Sequence, residues 1–149
     1  MEKTGKNKIA FDTSVLISAM IESHPAHNRC VTYLKQVYSG SMRGTISAHC
    51  LAEIYSVLTT LPLNPKVSPF EAEIILQKNI YAKFDIIALT VADYKNSIQR
   101  VAGLYQSGGI LYDALHIEAA IKSKSSQLVT LNQKHFQKLA PANLQVLAV

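Results

Sequence analysis

The hydrophobic and polar positions along this chain fall into two alternating kinds of segment. Short apolar runs without helical spacing indicate buried strands, and longer segments with apolar residues three and four positions apart indicate helices that cover a core. The runs predict strands at residues 8–12, 44–47, 85–89, 128–131 and 144–147. The spaced segments predict helices at residues 14–21, 26–39, 48–60, 69–83, 90–105 and 110–122, and a short one from residue 132.

Strands that alternate with helices predict an α/β fold with a central, mainly parallel sheet of four to five strands, covered by helices on both faces. A chain of 149 residues, 48% of them hydrophobic, suits a single domain over residues 1–149, with residues 1–7 as a flexible basic tail. No apolar run approaches the length of a membrane span, and the N-terminus lacks a signal-peptide pattern. We therefore expect no membrane contact and a cytoplasmic location.

The net charge changes this picture only slightly. A formal charge of +5 and a pI of about 9.2 favour a polyanionic partner such as nucleic acid, although charge alone argues for association and not for a fold or an activity. Lys8, Arg43 and Lys134 lie near predicted strand ends and are candidates for phosphate contacts.

Three acidic residues stand out by their positions. Asp12 directly follows the first predicted strand, Glu53 lies at the margin of an apolar helix stripe, and Asp113 shares a helix face with apolar residues. Asn132 follows the fourth predicted strand, and ligands of open α/β sheets bind at such strand ends. Burying several carboxylates together is unfavourable without a cation, and oxygen ligands suit Mg²⁺ or Mn²⁺.

Each of these residues also has a simpler interpretation. Asp12 and Asn132 can cap the helices that follow them, as Asp and Asn often do after a strand. His116, one turn after Asp113, is expected to be a hydrogen-bonded residue at the edge of the core. Glu118 falls on the opposite side of the same helix and is expected to be solvated. Thr13 and Ser14 are expected to cap the first helix.

Four motifs in fixed order resemble those of PIN-domain ribonucleases, and in size and layout the chain is similar to VapC-type toxins of type II toxin–antitoxin systems. The resemblance covers residues 8–149. Its motifs are DTS at 12–14, SAHCLAE at 47–53, GGILYDALHI at 108–117, and LVTLN at 128–132 followed by Phe136. It implies a PIN-like three-layer αβα sandwich.

The resemblance also implies a function and a site. Asp12, Glu53 and Asp113 would coordinate one or two Mg²⁺ or Mn²⁺ ions, with Asn132 where many relatives have a fourth acid. Asn132 supplies no charge, so the number of ions stays open. The expected reaction is hydrolysis of RNA phosphodiester bonds without a covalent enzyme intermediate. A homodimer and a cognate antitoxin are the implied protein partners.

Two other functions stay open from the sequence. One is a catalytically weak RNA-binding or regulatory module that keeps the fold, and Asn132 is the residue that favours it. The other is an RNA-processing nuclease outside a toxin–antitoxin system, which the sequence does not distinguish from a toxin.

Overall fold

The central feature of the computed structural model, which describes residues 7–149, is one parallel sheet. Within those residues the strands follow the spatial order β3-β2-β1-β4-β5, and all four neighbouring pairs are parallel. The strands are Lys8–Phe11 (β1), Arg43–Ser47 (β2), Asp85–Ile87 (β3), Gln127–Thr130 (β4) and Gln145–Ala148 (β5). The predicted mainly parallel sheet is confirmed. The predicted tail, apart from Asn7, lies outside the described residues.

Helices connect the strands, as the apolar spacing predicts. In the described part of the chain they are Thr13–Met20 (α1), His27–Tyr38 (α2), Ala48–Thr60 (α3), Pro69–Leu76 (α4), Val91–Gly103 (α5), Ile110–Lys122 (α6) and Gln133–Leu139 (α7). A π-helical turn, Gln77–Tyr81, extends α4. Every predicted strand and helix is present, and their ends differ from the predicted ones by no more than two residues.

Side chains on successive strand residues build a separate core on each face of the sheet, because they point alternately to the two faces. Phe11 and Val129 pack in a core with α1 to α4. Ala10 and Leu128 pack in a second core with α5 to α7. The predicted three-layer αβα arrangement is therefore confirmed.

The strand order places a crevice at one edge of the sheet. From β1 the chain builds β2 and β3 on one side, and β4 then pairs on the other side of β1. In open α/β sheets such a reversal leaves a binding crevice at the carboxyl ends of the strands. We call the end of the sheet that is formed by the carboxyl ends of the strands the carboxyl edge. The end formed by their amino ends is the amino edge.

Two of the residues named as candidate phosphate contacts lie away from this crevice. Lys8 and Arg43 are the first residues of β1 and β2 and therefore sit at the amino edge. Lys134 lies in the first turn of α7, just after β4, where the carboxyl edge begins.

None of the helices in residues 7–149 is long and apolar enough to cross a membrane.

Candidate active site

The Asp12 side chain is held at the carboxyl edge by hydroxyl groups. The residue is 6% exposed, and its backbone N–H continues the pairing with β4 by donating to the Val129 carbonyl at 3.0 Å. Ser14 Oγ donates to Asp12 Oδ2 at 2.6 Å, and Thr130 Oγ1 donates to the same oxygen at 2.8 Å. Asp12 is the N-cap residue of α1 by position, but its carboxylate makes no capping hydrogen bond to that helix.

Both hydroxyls are set as donors by the backbone that follows β4. The Leu131 N–H donates to Ser14 Oγ at 3.3 Å, and the Asn132 N–H donates to Thr130 Oγ1 at 2.8 Å. With an acceptor position of each hydroxyl filled in this way, its own proton points to Asp12 Oδ2. These bonds fix the carboxylate and leave Oδ1 for other partners. Ser14 therefore does not act as the predicted cap of α1.

Glu53 and His116 form an ion pair beside Asp12. His116 Nε2 lies 2.7 Å from Glu53 Oε1 and 3.9 Å from Asp12 Oδ1, and the imidazole is almost fully buried. Burial lowers the pKa of His116, but the hydrogen bond to Glu53 and the nearby carboxylates outweigh this and raise it. Burial likewise raises the pKa of Glu53, and the His116 hydrogen bond and charge bring it below its ordinary value.

The second nitrogen of His116 is also engaged. His116 Nδ1 lies 2.8 Å from Ser47 Oγ, which accepts the Cys50 N–H as the N-cap of α3. The prediction that His116 is hydrogen-bonded is confirmed, but at 2% exposed it lies within the core and not at its edge. The sequence did not indicate that its partner would be one of the three candidate acids.

Thr13 braces the same group from α1. Its Oγ1 lies 3.3 Å from both Glu53 Oε1 and His116 Nε2, and 3.1 Å from Cys50 Sγ. It therefore does not cap α1 as predicted. Burial raises the pKa of Cys50, so its sulfur stays a neutral thiol at physiological pH.

Asp113 lies opposite Asp12, in the first turn of α6. Burial raises the pKa of this half-buried carboxyl, and the charge of Asp12 raises it further. His135 Nδ1, 3.1 Å from Asp113 Oδ2, offsets part of that rise. Asn132 is exposed and its amide nitrogen lies 2.7 Å from His135 Nδ1. The Asn132 side chain thus does not cap α7, which corrects that interpretation.

Glu118 corrects another prediction, because it is buried and not solvated. It is 8% exposed; Asn96 Nδ2 donates to its Oε1 at 3.3 Å, and Arg100 Nη2 lies 3.6 Å from its Oε2. By contrast, Asp12, Glu53 and Asp113 have only histidines as basic partners among residues 7–149.

Comparison with known proteins shows which family this chain belongs to. A family model described as "PIN domain" matches residues 8–134, which is most of the chain. This chain belongs to the PIN-domain family. A curated relative, ribonuclease VapC27 of Mycobacterium tuberculosis, is 31% identical over 121 residues, covering 80% of this chain and 82% of the relative. Ribonuclease VapC40 of the same species is 31% identical over 123 residues, covering 82% and 84%.

Solved structures share this PIN-domain fold. VapBC2 from Rickettsia felis, bound to a DNA fragment from their promoter, matches with a TM-score of 0.65 at 19% identity, over 95% of this chain and 98% of that chain. VapC20 of Mycobacterium tuberculosis, a sarcin–ricin loop cleaving toxin, matches with a TM-score of 0.62 at 13% identity, over 80% and 86%. At these identities the likeness concerns the fold alone.

The donor chemistry of this PIN domain suits a hard divalent cation. Asp12 is close enough to Asp113 for its charge to raise the pKa of that carboxyl, and such repulsion is what a bound cation relieves. Glu53 is turned to His116, and in residues 7–149 no group of three His, Cys, Asp or Glu side chains is arranged to hold a metal ion. Asp12 and Asp113 are therefore the carboxylates whose mutual repulsion a cation would relieve, and Glu53 has a competing partner.

Two residues of the site were not found from the sequence. Thr130 is the polar last residue of β4 and directly follows the apolar Leu128 and Val129, a signal that could have marked it as a site residue. His135 is an exposed residue on a short helix, and nothing local indicates that it contacts Asp113.

Proposed function

We propose that this PIN domain is an endoribonuclease and the toxin of a toxin–antitoxin pair. The observation that carries the proposal is the group of carboxylates at the carboxyl edge that have no Lys or Arg partners in the described chain. Two relatives that are 31% identical over most of their length are named ribonucleases, and this supports the same activity here. Because both relatives are named ribonucleases, RNA is the substrate class that we propose.

Asp12 and Asp113 are the residues that we propose as ligands of Mg²⁺ or Mn²⁺, with Glu53 as the third. When bound, such an ion lowers the pKa of water and stabilises charge on the phosphate oxygens, so hydrolysis needs no covalent enzyme intermediate. Ser14 and Thr130 hold Asp12 in one orientation through Oδ2. His116 holds Glu53 and screens the charge between the acids.

The charge outside the site suits a polyanionic substrate. With the three proposed ligands set aside, the sequence has 15 Lys and Arg against 7 remaining acids. Basic side chains attract the phosphates of an RNA strand, and the carboxylates are neutralised by the ion they hold. Lys134, beside the carboxyl edge, is the basic residue that we propose for such a phosphate contact.

A cognate antitoxin and a homodimer are the protein partners that we propose. The acidic crevice suits an antitoxin that inserts a basic side chain and so blocks the cation site. Expression of the chain alone is then expected to arrest growth of the host cell, and the Asp12→Asn variant is expected to leave growth unaffected. Normal growth with the soluble wild-type chain would argue for an RNA-processing role instead.

The direct test is cleavage of a mixed RNA pool by the purified protein in EDTA, Mg²⁺ or Mn²⁺. We expect cleavage only with a divalent ion, and none by Asp12→Asn. Circular dichroism of that variant should match the wild type, since the substitution removes a charge and keeps the shape. Cleavage in EDTA, or undiminished cleavage by the folded variant, would contradict the assignment.

Asn132 tests how many ions the site holds. We expect Asn132→Asp to tighten Mn²⁺ binding, measured by titration calorimetry, because it adds a charge beside Asp113. If the variant binds Mn²⁺ as the wild type does, Asn132 does not contribute to the cation site and is only the residue that precedes α7.

A further inference from the structure

We propose that a cavity beside the carboxylates binds one unpaired nucleobase of the RNA substrate. This cavity, which we call the base pocket, has a volume of about 340 Å³. It is lined by His49, Ala52, Glu53, Ser56, Val57 and Tyr112. The inference rests on the proposed ribonuclease function, since it names the part of the substrate that this site recognises.

Two aromatic rings form one wall of the base pocket. The rings of His49 and Tyr112 are 5.1 Å apart between centroids and only 6° from parallel, which is an offset stack. Tyr112 is 50% exposed. The His49 ring covers one face of the Tyr112 ring. The exposed surface of Tyr112 is therefore on its other face and along its edge. A further flat ring can extend the stack there.

The position of this stack is fixed by the site itself. Tyr112 directly precedes Asp113 in α6, and His49 lies one turn before Glu53 in α3. His49 Nε2 is 3.7 Å from Glu53 Oε1, and the His49 ring centroid is 6.3 Å from that of His116. The His49–Tyr112 stack and the proposed cation site therefore share Glu53 as a neighbour. An RNA strand with a phosphate at the cation site would bring a neighbouring base to the stack.

The lining selects the chemical class of the occupant. Ala52, Val57 and the rings offer apolar surface, and the Ser56 hydroxyl and the Glu53 carboxylate are the polar groups at the rim. A planar, largely apolar ring with polar edges fits such walls, and bases in single strands are available to stack on aromatic side chains. A base within a duplex is already stacked and paired. We therefore assign the base pocket to single-stranded RNA, such as a loop.

The first test compares variants of Tyr112 in RNA cleavage with Mg²⁺ or Mn²⁺. We expect Tyr112→Leu to raise KM by roughly 5- to 100-fold with little change in kcat, because stacking holds substrate and transition state alike. Tyr112→Phe should keep the wild-type KM, since it keeps the ring. Thermal unfolding of both variants should show that the domain remains folded.

A matched control is available on a neighbouring helix. Tyr94 is 40% exposed in α5, and its neighbour Asp93 contacts Lys122, which is nine residues beyond Asp113 and so roughly 13 Å along the axis of α6. We expect Tyr94→Leu to leave KM unchanged. Equal changes in KM for Tyr94→Leu and Tyr112→Leu would overturn the proposal, because they would show a general effect of losing a surface tyrosine.

The second test does not depend on cleavage. A single-stranded RNA that contains 5-iodouridine is irradiated with the wild-type protein, and the crosslinked peptide is identified by mass spectrometry. We expect a crosslink at Tyr112 or His49, and its loss when an RNA duplex of the same sequence is used. Crosslinks confined to other parts of the protein would overturn the proposal.

The two tests separate this inference from the proposed function. If the wild type cleaves RNA and Tyr112→Leu cleaves it with the same KM, the base pocket is refuted and the nuclease assignment stands. If the wild type does not cleave RNA but crosslinks at Tyr112, the base pocket is supported and the nuclease assignment fails.

Discussion

The amino edge and the carboxyl edge of the sheet both carry polar side chains, but the partners of these side chains differ. At the amino edge, Asp85 is paired with the Arg43 guanidinium, and Lys8 Nζ donates to the Ser123 carbonyl at 3.2 Å. The buried hydroxyls there bond to one another, with Thr45 Oγ1 2.9 Å from Ser125 Oγ. At the carboxyl edge, by contrast, the carboxylates have histidines and hydroxyls as partners and no Lys or Arg in the described chain.

This difference separates acids that stabilise the fold through ion pairs from the acids that we propose as ligands of a cation. A carboxylate with a permanent cationic partner gains nothing from a metal ion. Asp12 and Asp113 repel one another in the absence of an ion, and that repulsion becomes favourable binding energy when a cation arrives. The contrast between acids paired with Arg or Lys and acids paired with histidines thus supports the proposed site at the carboxyl edge.

The largest expected effect contrasts an acid at each edge. Asp113→Asn should lower the rate of metal-dependent RNA cleavage by at least about 100-fold, because it removes a proposed ligand. Asp85→Asn removes an exposed ion pair at the amino edge and should leave the rate unchanged. Initial rates at saturating Mn²⁺ give both values. Similar losses in the two variants would remove the distinction between the edges.

The next effect concerns the buried acid that does have a cation. Arg100→Met leaves the Glu118 carboxylate buried without a charged partner, and the free energy of unfolding at pH 7 should fall by about 2 kcal/mol. Urea denaturation measures this change. The double variant Arg100→Met with Glu118→Leu should recover most of the loss. If it does not, the pair is held by packing and not by charge.

A smaller effect compares two buried threonines. Thr130→Val removes the hydrogen bond to Asp12 Oδ2 and should reduce cleavage by about 10-fold, because the carboxylate loses its fixed orientation. Thr45→Val, at the amino edge, should leave the cleavage rate unchanged. Each should cost about 1 kcal/mol of stability, so urea denaturation serves as the internal control. Equal cleavage by the two variants would mean that Thr130 has only a structural role.

The smallest effect is a pH dependence of opposite sign for two aspartates. The pKa of Asp113 is raised in the folded state, so stability in EDTA should fall as pH rises from about 4 through that raised value. Hydrogen bonds from Lys122 and Thr90 lower the pKa of Asp93, so its stabilising contribution should be lost as pH falls through the lowered value.

Urea midpoints from pH 3 to pH 7 test this pair. Relative to the wild type, Asp113→Asn should gain stability as pH rises, and Asp93→Asn should lose it. Parallel pH profiles for the two variants would contradict the opposite shifts.

The order of strands and helices could be predicted because each segment carries its own periodicity. The capping box at the start of α5 is a local pattern of four residues, in which the Asp93 N–H donates to Thr90 Oγ1 and the Thr90 N–H donates to the Asp93 carboxylate. Helix periodicity also placed Asp113 beside the core, as the structure shows. These features depend on neighbours in sequence, and so sequence reasoning finds them.

Contacts between distant segments could not be predicted in this way. Glu118 was expected to be solvated because it lies opposite Asp113, but α6 is covered on that side by α5, which supplies Arg100. Similarly, Glu53 contacts His116 because of the way in which α3 and α6 meet across the end of β2. A single-helix pattern indicates which side is polar and does not indicate whether another helix covers it.

The hydrogen bonds that fix Asp12 also set when the enzyme first becomes competent during synthesis. The Asp12 carboxylate lies 118 residues before Thr130 in the chain, and the backbone N–H groups of Leu131 and Asn132, which orient the same hydroxyl groups, follow directly after Thr130. A nascent chain on the ribosome therefore has its first acid long before it has an ordered catalytic centre. The proposed site can therefore become ordered only after β4 and the two residues that follow it have been synthesised.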